Sequence, residues 1–172
     1  MAAAHVTHEH EIAERAARVT VGILGGTGDQ GRGLARRLAL AGQRVIIGSR
    51  HAGRAAAAAA TVGDPPQVTG AANEDAAREA DLVIAAVPWE GHGDLLAQLA
   101  GPLEGKIVVD CVNPIAFDAH GAYAIPVPEG SAAQQAAAVL PASHVVGAFH
   151  HVSAVLLLDP EVGEFDLDVL VL

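Results

Sequence analysis

Val19-Thr20-Val21-Gly22-Ile23-Leu24-Gly25-Gly26-Thr27-Gly28-Asp29-Gln30-Gly31 decides how the rest of the chain is read. The first six residues form an apolar run of strand character, the glycines behind them a tight turn, and Gln30 onward a helix. In that setting Gly26, Gly28 and Gly31 make a G-x-G-x-x-G match, which without a strand before and a helix after would carry little weight. Gly26 lets the chain turn sharply, Gly28 leaves no side chain between backbone and a pyrophosphate, and Gly31 lets the helix pack close to the strand. The N–H groups at the helix start then face the phosphates, where the helix dipole also favours negative charge. Asp29 is the odd residue of this loop, since its charge is unfavourable there unless it points away or caps the helix.

Working outward, residues 30–40 place Leu34 and Leu38 at helical spacing, and Gly42 closes that helix. Arg44-Val45-Ile46-Ile47-Gly48 reads as a second buried strand. A helix over the alanine run 55–60 ends near Gly63-Asp64-Pro65-Pro66, and Val68-Thr69 is a short strand. A helix over 73–80 has Asn73 as its cap, followed by a strand over 82–87 stopped by Pro88, and a helix over 89–99. Strands over 106–110 and 145–149 flank a helix over 131–140, and residues 166–172 read as one more strand whose apolar side chains lie uncovered and invite self-association. Apolar strands without alternation, separated by helices, predict an α/β fold: a doubly wound parallel sheet covered on both faces, of the Rossmann type. The domain spans residues 19–172 and is preceded by an N-terminal extension, residues 1–18, expected to be flexible.

With 172 residues the chain is long enough for one domain with a substantial core. Its formal net charge of -10 argues against nucleic acid and against an anionic membrane surface as partners. No apolar stretch approaches the roughly 20 residues of a membrane helix. The N-terminus lacks the pattern of a secretory signal, so a cytoplasmic location is expected. The single cysteine, Cys111, excludes an internal disulfide and is read as a buried apolar-like thiol. His5, His8 and His10 are read as a solvated extension, and no metal site is expected.

Where the second strand ends, an NAD-binding chain places an acid that accepts hydrogen bonds from the adenosine ribose. This chain has Gly48-Ser49-Arg50 instead. Ser49 can donate to a 2′-phosphate, Arg50 can make a bidentate charged contact with it, and Arg54 brings a second positive charge one helical turn on. NADP(H) is therefore the expected nucleotide.

Four segments together resemble a family: residues 23–35 around the glycine turn, Gly48-Ser49-Arg50, Val87-Pro88-Trp89-Glu90, and Gly147-Ala148-Phe149-His150. In order and spacing they are similar to the NADPH-dependent F420 reductases, also called F420H2:NADP oxidoreductases. The resemblance implies direct hydride transfer between the nicotinamide of NADP(H) and the deazaflavin coenzyme F420. It places Thr27 and Gly28, within a loop running from Gly26 through Asp29, Gln30 and Gly31, at the pyrophosphate, and Ser49, Arg50 and Arg54 at the 2′-phosphate. Val87, Pro88 and Trp89 fall near the nicotinamide half, and His150 and Val152 beside the deazaflavin. Family members continue into helices that help close the deazaflavin pocket and build a homodimer, and that C-terminal helical part is expected to be absent here.

Two redox carriers need no nucleophile, metal or essential acid from the protein, only rings held face to face. No residue is assigned a certain catalytic role. His150, behind a strand's carboxyl end, is a candidate F420 contact that would stabilise charge on the reduced ring, while Asp110 and Asn113 read as turn and cap residues. The residues leave two alternatives open: an NADP-dependent reductase of another acceptor, and a non-catalytic NADP-binding module.

Overall fold

The structure is a computed structural model and describes residues 16, 18–62, 67–164 and 166–172. The His5, His8 and His10 group, all but Ala16 and Arg18 of the expected extension, and the Gly63–Pro66 turn lie outside the described residues. In chain order the elements are β1 (Thr20–Leu24), α1 (Asp29–Leu40), β2 (Arg44–Ser49), α2 (Ala52–Ala59), β3 (Val68–Ala72), α3 (Asn73–Glu79), β4 (Leu82–Ala85), α4 (His92–Gln98), α5 (Ala100–Leu103), β5 (Ile107–Asp110), β6 (Ile115–Asp118), β7 (Gly121–Ala124), α6 (Ala132–Val139), β8 (His144–Gly147) and α7 (Ala154–Leu158).

Six strands make one parallel sheet in the order β3-β2-β1-β4-β5-β8. Successive strand residues point to opposite faces, so each strand feeds two cores. Val21, Ile23, Val45, Ile47, Ile84 and Val109 pack with Leu34 and Ala35 of α1, Ala55 and Ala58 of α2 and Leu157 of α7. Leu24, Val83, Ala85 and Val108 pack with Ala77 of α3, Leu96 of α4, Leu103 of α5, and Ala136 and the following Leu140 of α6. Helices on both faces of a parallel sheet are the expected doubly wound architecture. No helix among the described residues is long and apolar enough to cross a membrane.

Several expected details are corrected. Residues 166–172 do not form a strand of the sheet. The chain arrives antiparallel to β8 and meets it only at its end, through the Ala148–Val171 bridge and the reciprocal 2.9 Å bonds between Gly147 and Leu172. Leu167, Val169, Leu170, Val171 and Leu172 stay exposed. Asn73 is not a cap. Ala72 holds the cap position of α3, and the Asn73 side chain is drawn away to accept a hydrogen bond from the Gly25 N–H at 3.2 Å. The helix expected from residue 89 begins at His92, because Gly91 has the left-handed φ of 84° and breaks the run.

Besides the four-residue α5, two features escape the sequence reading. The β6–β7 hairpin is one, with Ile115, Phe117 and Tyr123 exposed. Its two-residue turn is held by Asp118 accepting from the His120 N–H at 2.7 Å. The other is α7, a five-residue helix too short to show periodicity. It is secured from α1: the Arg37 guanidinium donates to the carbonyls of Leu156, Leu157, Asp159, Val162 and Gly163, groups that a helix end and the turn behind it leave without partners. Arg37→Ala is expected to destabilise the protein by about 1–3 kcal/mol, with faster amide hydrogen exchange concentrated in residues 154–163. Unchanged exchange there would show that the apolar contact of Leu157 alone holds the segment.

Candidate functional site

The sheet order reverses between β1 and β4, and the carboxyl ends of the strands on either side of that point open a crevice, the place where doubly wound sheets bind ligands. Here it is a cavity of ≈ 680 Å³. Gly25, Thr27, Gly28, Asp29, Gln30 and Gly31 form one wall; Ser49, Arg50 and Arg54 close one end; Ala86, Val87, Pro88 and Leu95 line the opposite side; Asn113, His150 and Val152 close the far end. The structure thus brings the sequence-expected residues to one cleft, with two exceptions. Gly26 lies beneath the loop and Trp89 stacks against His92 at 5.6 Å between ring centroids, so neither lines the cavity.

The loop has a defined division of labour. The left-handed turn falls on Gly25, at φ 64°, one residue earlier than expected. Gly26 donates its N–H to the Gly48 carbonyl at 2.9 Å, locking the turn to the end of β2. A Cβ on Gly31 would stand 2.4 Å from the Gly26 Cα, so the helix start packs directly on the turn. A Cβ on Gly28 would meet nothing within 4 Å, because that residue borders the cavity. The first bond closing α1 from this loop runs from the Arg32 N–H to the Gly28 carbonyl at 2.9 Å, which leaves the earlier amides of the first turn for a ligand. Asp29 sits in that first turn and pairs with Arg32 at 2.6 Å, so its charge is answered within the helix.

At the β2 end Ser49 is buried and Arg50 and Arg54 are exposed. Neither arginine is in an ion pair among the described residues. Two available guanidinium groups, a serine and no carboxylate suit a phosphate dianion and would leave an unphosphorylated ribose without its usual acceptor. With open space at Gly28 and amides available at the helix start, these residues fit a dinucleotide carrying a 2′-phosphate.

The far end is built on a strained turn. Phe149 has φ 65°, the only positive φ outside glycine among the described residues, and such strain persists only where surroundings enforce it. Asn113 Nδ2 donates to the His150 carbonyl at 2.8 Å and Gln30 Nε2 to the Phe149 carbonyl at 3.5 Å. His151, in contrast, is exposed and its Nε2 meets the Asp168 carbonyl at 2.9 Å. Cys111 reaches the cavity edge but is buried, and burial pushes its thiol up to about 12 with Asp110 adding to the effect. It is no nucleophile at neutral pH.

Beside this end lies a pair that sequence reasoning missed. His92 and Asp110 are both fully buried, with Nε2 and Oδ2 2.5 Å apart, while His92 Nδ1 faces Gln135 Oε1 at 3.1 Å. Asp110 also plays the expected turn role, accepting from the Val112 N–H at 2.9 Å. Burial alone would lower the His92 pKa, but the hydrogen bond and charge of Asp110, with the Gln135 hydrogen bond, outweigh it and hold the imidazole above its ordinary 6.5. A folded-state value above the unfolded one means that the stabilisation is complete below pH 6.5 and is lost as pH rises through the raised folded value. The unfolding free energy of the wild type, measured by urea titration, is therefore expected to fall as pH rises above 6.5, with a slope of at most about 1.4 kcal/mol per pH unit. His92→Gln should flatten that slope; an equal slope in both proteins would contradict the assignment.

Known proteins resemble this chain in sequence and in fold. The family model described as NADP oxidoreductase coenzyme F420-dependent matches residues 20–114. The F420-dependent NADP reductase of Methanothermobacter marburgensis is 42% identical over 160 residues, covering 88% of this chain and 71% of the relative. That of Methanocaldococcus jannaschii is 40% identical over 161 residues, with 88% and 71% covered. Among solved structures, a candidate F420-dependent NADP reductase from Arthrobacter sp. FB24 superimposes with a TM-score of 0.69 at 34% identity, covering 83% of this chain and 67% of that one.

Proposed function

This chain belongs to the coenzyme F420-dependent NADP oxidoreductase family, and from that premise we propose that it transfers a hydride between NADP(H) and F420 in the β1/β4 crevice. The observation that carries the reading is the pairing, in one cavity, of an open glycine loop with an acid-free Ser49, Arg50 and Arg54 end. When bound, the nicotinamide and deazaflavin supply the redox chemistry between themselves. Thr27, Gly28 and the amides of Asp29, Gln30 and Gly31 hold the pyrophosphate; Ser49, Arg50 and Arg54 hold the 2′-phosphate. Ala86, Val87 and Pro88 wall the middle of the cleft, and Val152 its far end, with apolar surface that would exclude water from the two rings. His150 offers a hydrogen bond at the deazaflavin end. Trp89 acts one layer back, through His92.

Small-molecule cofactors are thus the partners of this chain. Nucleic acid is outside the reading, given the net charge of -10; a homodimer is part of it, supported by the exposed apolar Leu167, Val169, Leu170, Val171 and Leu172, and so is a cytoplasmic setting. Mixing the protein with NADPH and F420 under anaerobic conditions is expected to bleach the visible absorbance of the deazaflavin. NADPH binding with no bleaching would support a nucleotide-binding module instead.

A further inference from the structure

We propose that the buried His92–Asp110 pair is a positioning unit for His150, holding it at the far end of the cleft and thereby setting the affinity for the second substrate. The inference rests on the hydride-transfer reading only in naming F420 as that substrate. Asp110 is the hub of three connections. Its Oδ2 is taken by His92 Nε2 at 2.5 Å, which fixes the carboxylate from α4. Its Oδ1 accepts the Val112 N–H at 2.9 Å and stands 4.0 Å from His150 Nε2. Its backbone carbonyl accepts the Ala148 N–H at 3.0 Å, tying the end of β5 to the residue that leads into the strained Phe149 turn. The Val112 turn in turn presents Asn113, whose Nδ2 grips the His150 carbonyl at 2.8 Å. His150 is therefore addressed from both ends, its ring by the carboxylate and its backbone by the amide, and both contacts depend on one buried aspartate.

Packing stability does not account for the pair. Apolar side chains would fill the same volume without the cost of desolvating a carboxylate and an imidazole, and such replacements are commonly neutral or stabilising. Nor does the pair reach the cleft by itself: neither His92 nor Asp110 lines the cavity. What it offers the cleft is orientation. Oxygen acceptors on both His92 nitrogens and the Trp89 ring stacked on its face hold the imidazole in one pose, and the hydrogen bonds from His92 and the Val112 N–H orient the Asp110 carboxylate with Oδ1 on the His150 side.

The test uses the full chain labelled with 15N-histidine, read by NMR without ligand, followed by titration with NADPH and with F420. Asp110→Asn and His92→Leu should move the His150 ring signals towards those of a solvent-averaged histidine and raise the F420 Kd about tenfold or more, while NADPH stays within about twofold. His92→Gln, which can still donate to Asp110, should keep the wild-type His150 signals and restore F420 affinity to within about threefold. Asn113 is exposed, so Asn113→Ala tests the backbone grip even where a core variant fails to fold, and it should give the same F420-selective loss. Unmoved His150 signals in folded Asp110→Asn, in His92→Leu and in Asn113→Ala, or parallel losses of NADPH and F420 affinity, would overturn the proposal. If the His150 signals respond as described but the wild type binds no F420, the positioning unit stands and the hydride-transfer reading falls.

Discussion

Arg50→Ala is expected to weaken NADPH binding by about 1.5–3 kcal/mol, roughly 10- to 150-fold, and to leave NADH within about twofold. Ser49 ends β2 beside the glycine turn, and Arg50 and Arg54 follow it on the cavity rim with no carboxylate paired to either among the described residues. A 2′-phosphate entering there gains a charge-assisted contact that a plain ribose lacks. Because both arginines are exposed, the NADPH advantage should shrink with added salt. Arg50→Ala together with Arg54→Ala should bring the two nucleotides close to parity. Fluorescence titrations of each nucleotide at two salt concentrations measure this, and an equal loss for NADPH and NADH would place the arginines outside the nucleotide site.

Gly28→Val is expected to abolish measurable NADPH binding, a loss of at least about 100-fold, in a protein that folds normally. Gly28 has φ -78° and ψ 171°, extended backbone that valine adopts readily, and a Cβ there meets no atom within 4 Å. The new side chain fills only the cavity space in front of the α1 amides, where the proposed pyrophosphate would approach. Gly31→Ala makes the opposite case. Its Cβ would lie 2.4 Å from the Gly26 Cα, backbone that cannot step aside, so folding itself should suffer. Circular dichroism, thermal melts and NADPH titration of the two variants separate these effects. A Gly28→Val protein that still binds NADPH would mean that the turn is structural and the cofactor lies elsewhere.

What could be read in the sequence was whatever local chemistry dictates. The strand, glycine turn and helix of residues 19–40 follow from composition and spacing, and with them the crevice, since a doubly wound sheet binds at its reversal point. Ser49 and Arg50 were legible because an acid is missing at a known distance from the loop. The His92–Asp110 contact was not, although both residues were visible in their elements. Pairing them needs the distance between the start of α4 and the end of β5, which is set by how the helices pack on the sheet. Residues 166–172 misled for a similar reason: apolar composition favours a strand, but the segment meets the end of β8 through a single antiparallel bridge. The β6–β7 hairpin left a faint signal in Ile115, Phe117 and Tyr123 alternating about Asp118 and Gly121.

The central claim is that hydride passes directly between the two cofactors held in this crevice. NADPH deuterated at the transferable nicotinamide position, mixed anaerobically with the protein and F420, tests it most directly by mass spectrometry of the reduced deazaflavin. The account predicts that the deuterium appears in reduced F420 from one of the two labelled diastereomers of NADPH and not from the other, and that transfer is lost in Gly28→Val. Reduced F420 carrying only solvent hydrogen, or no reduction while NADPH remains bound, would contradict it.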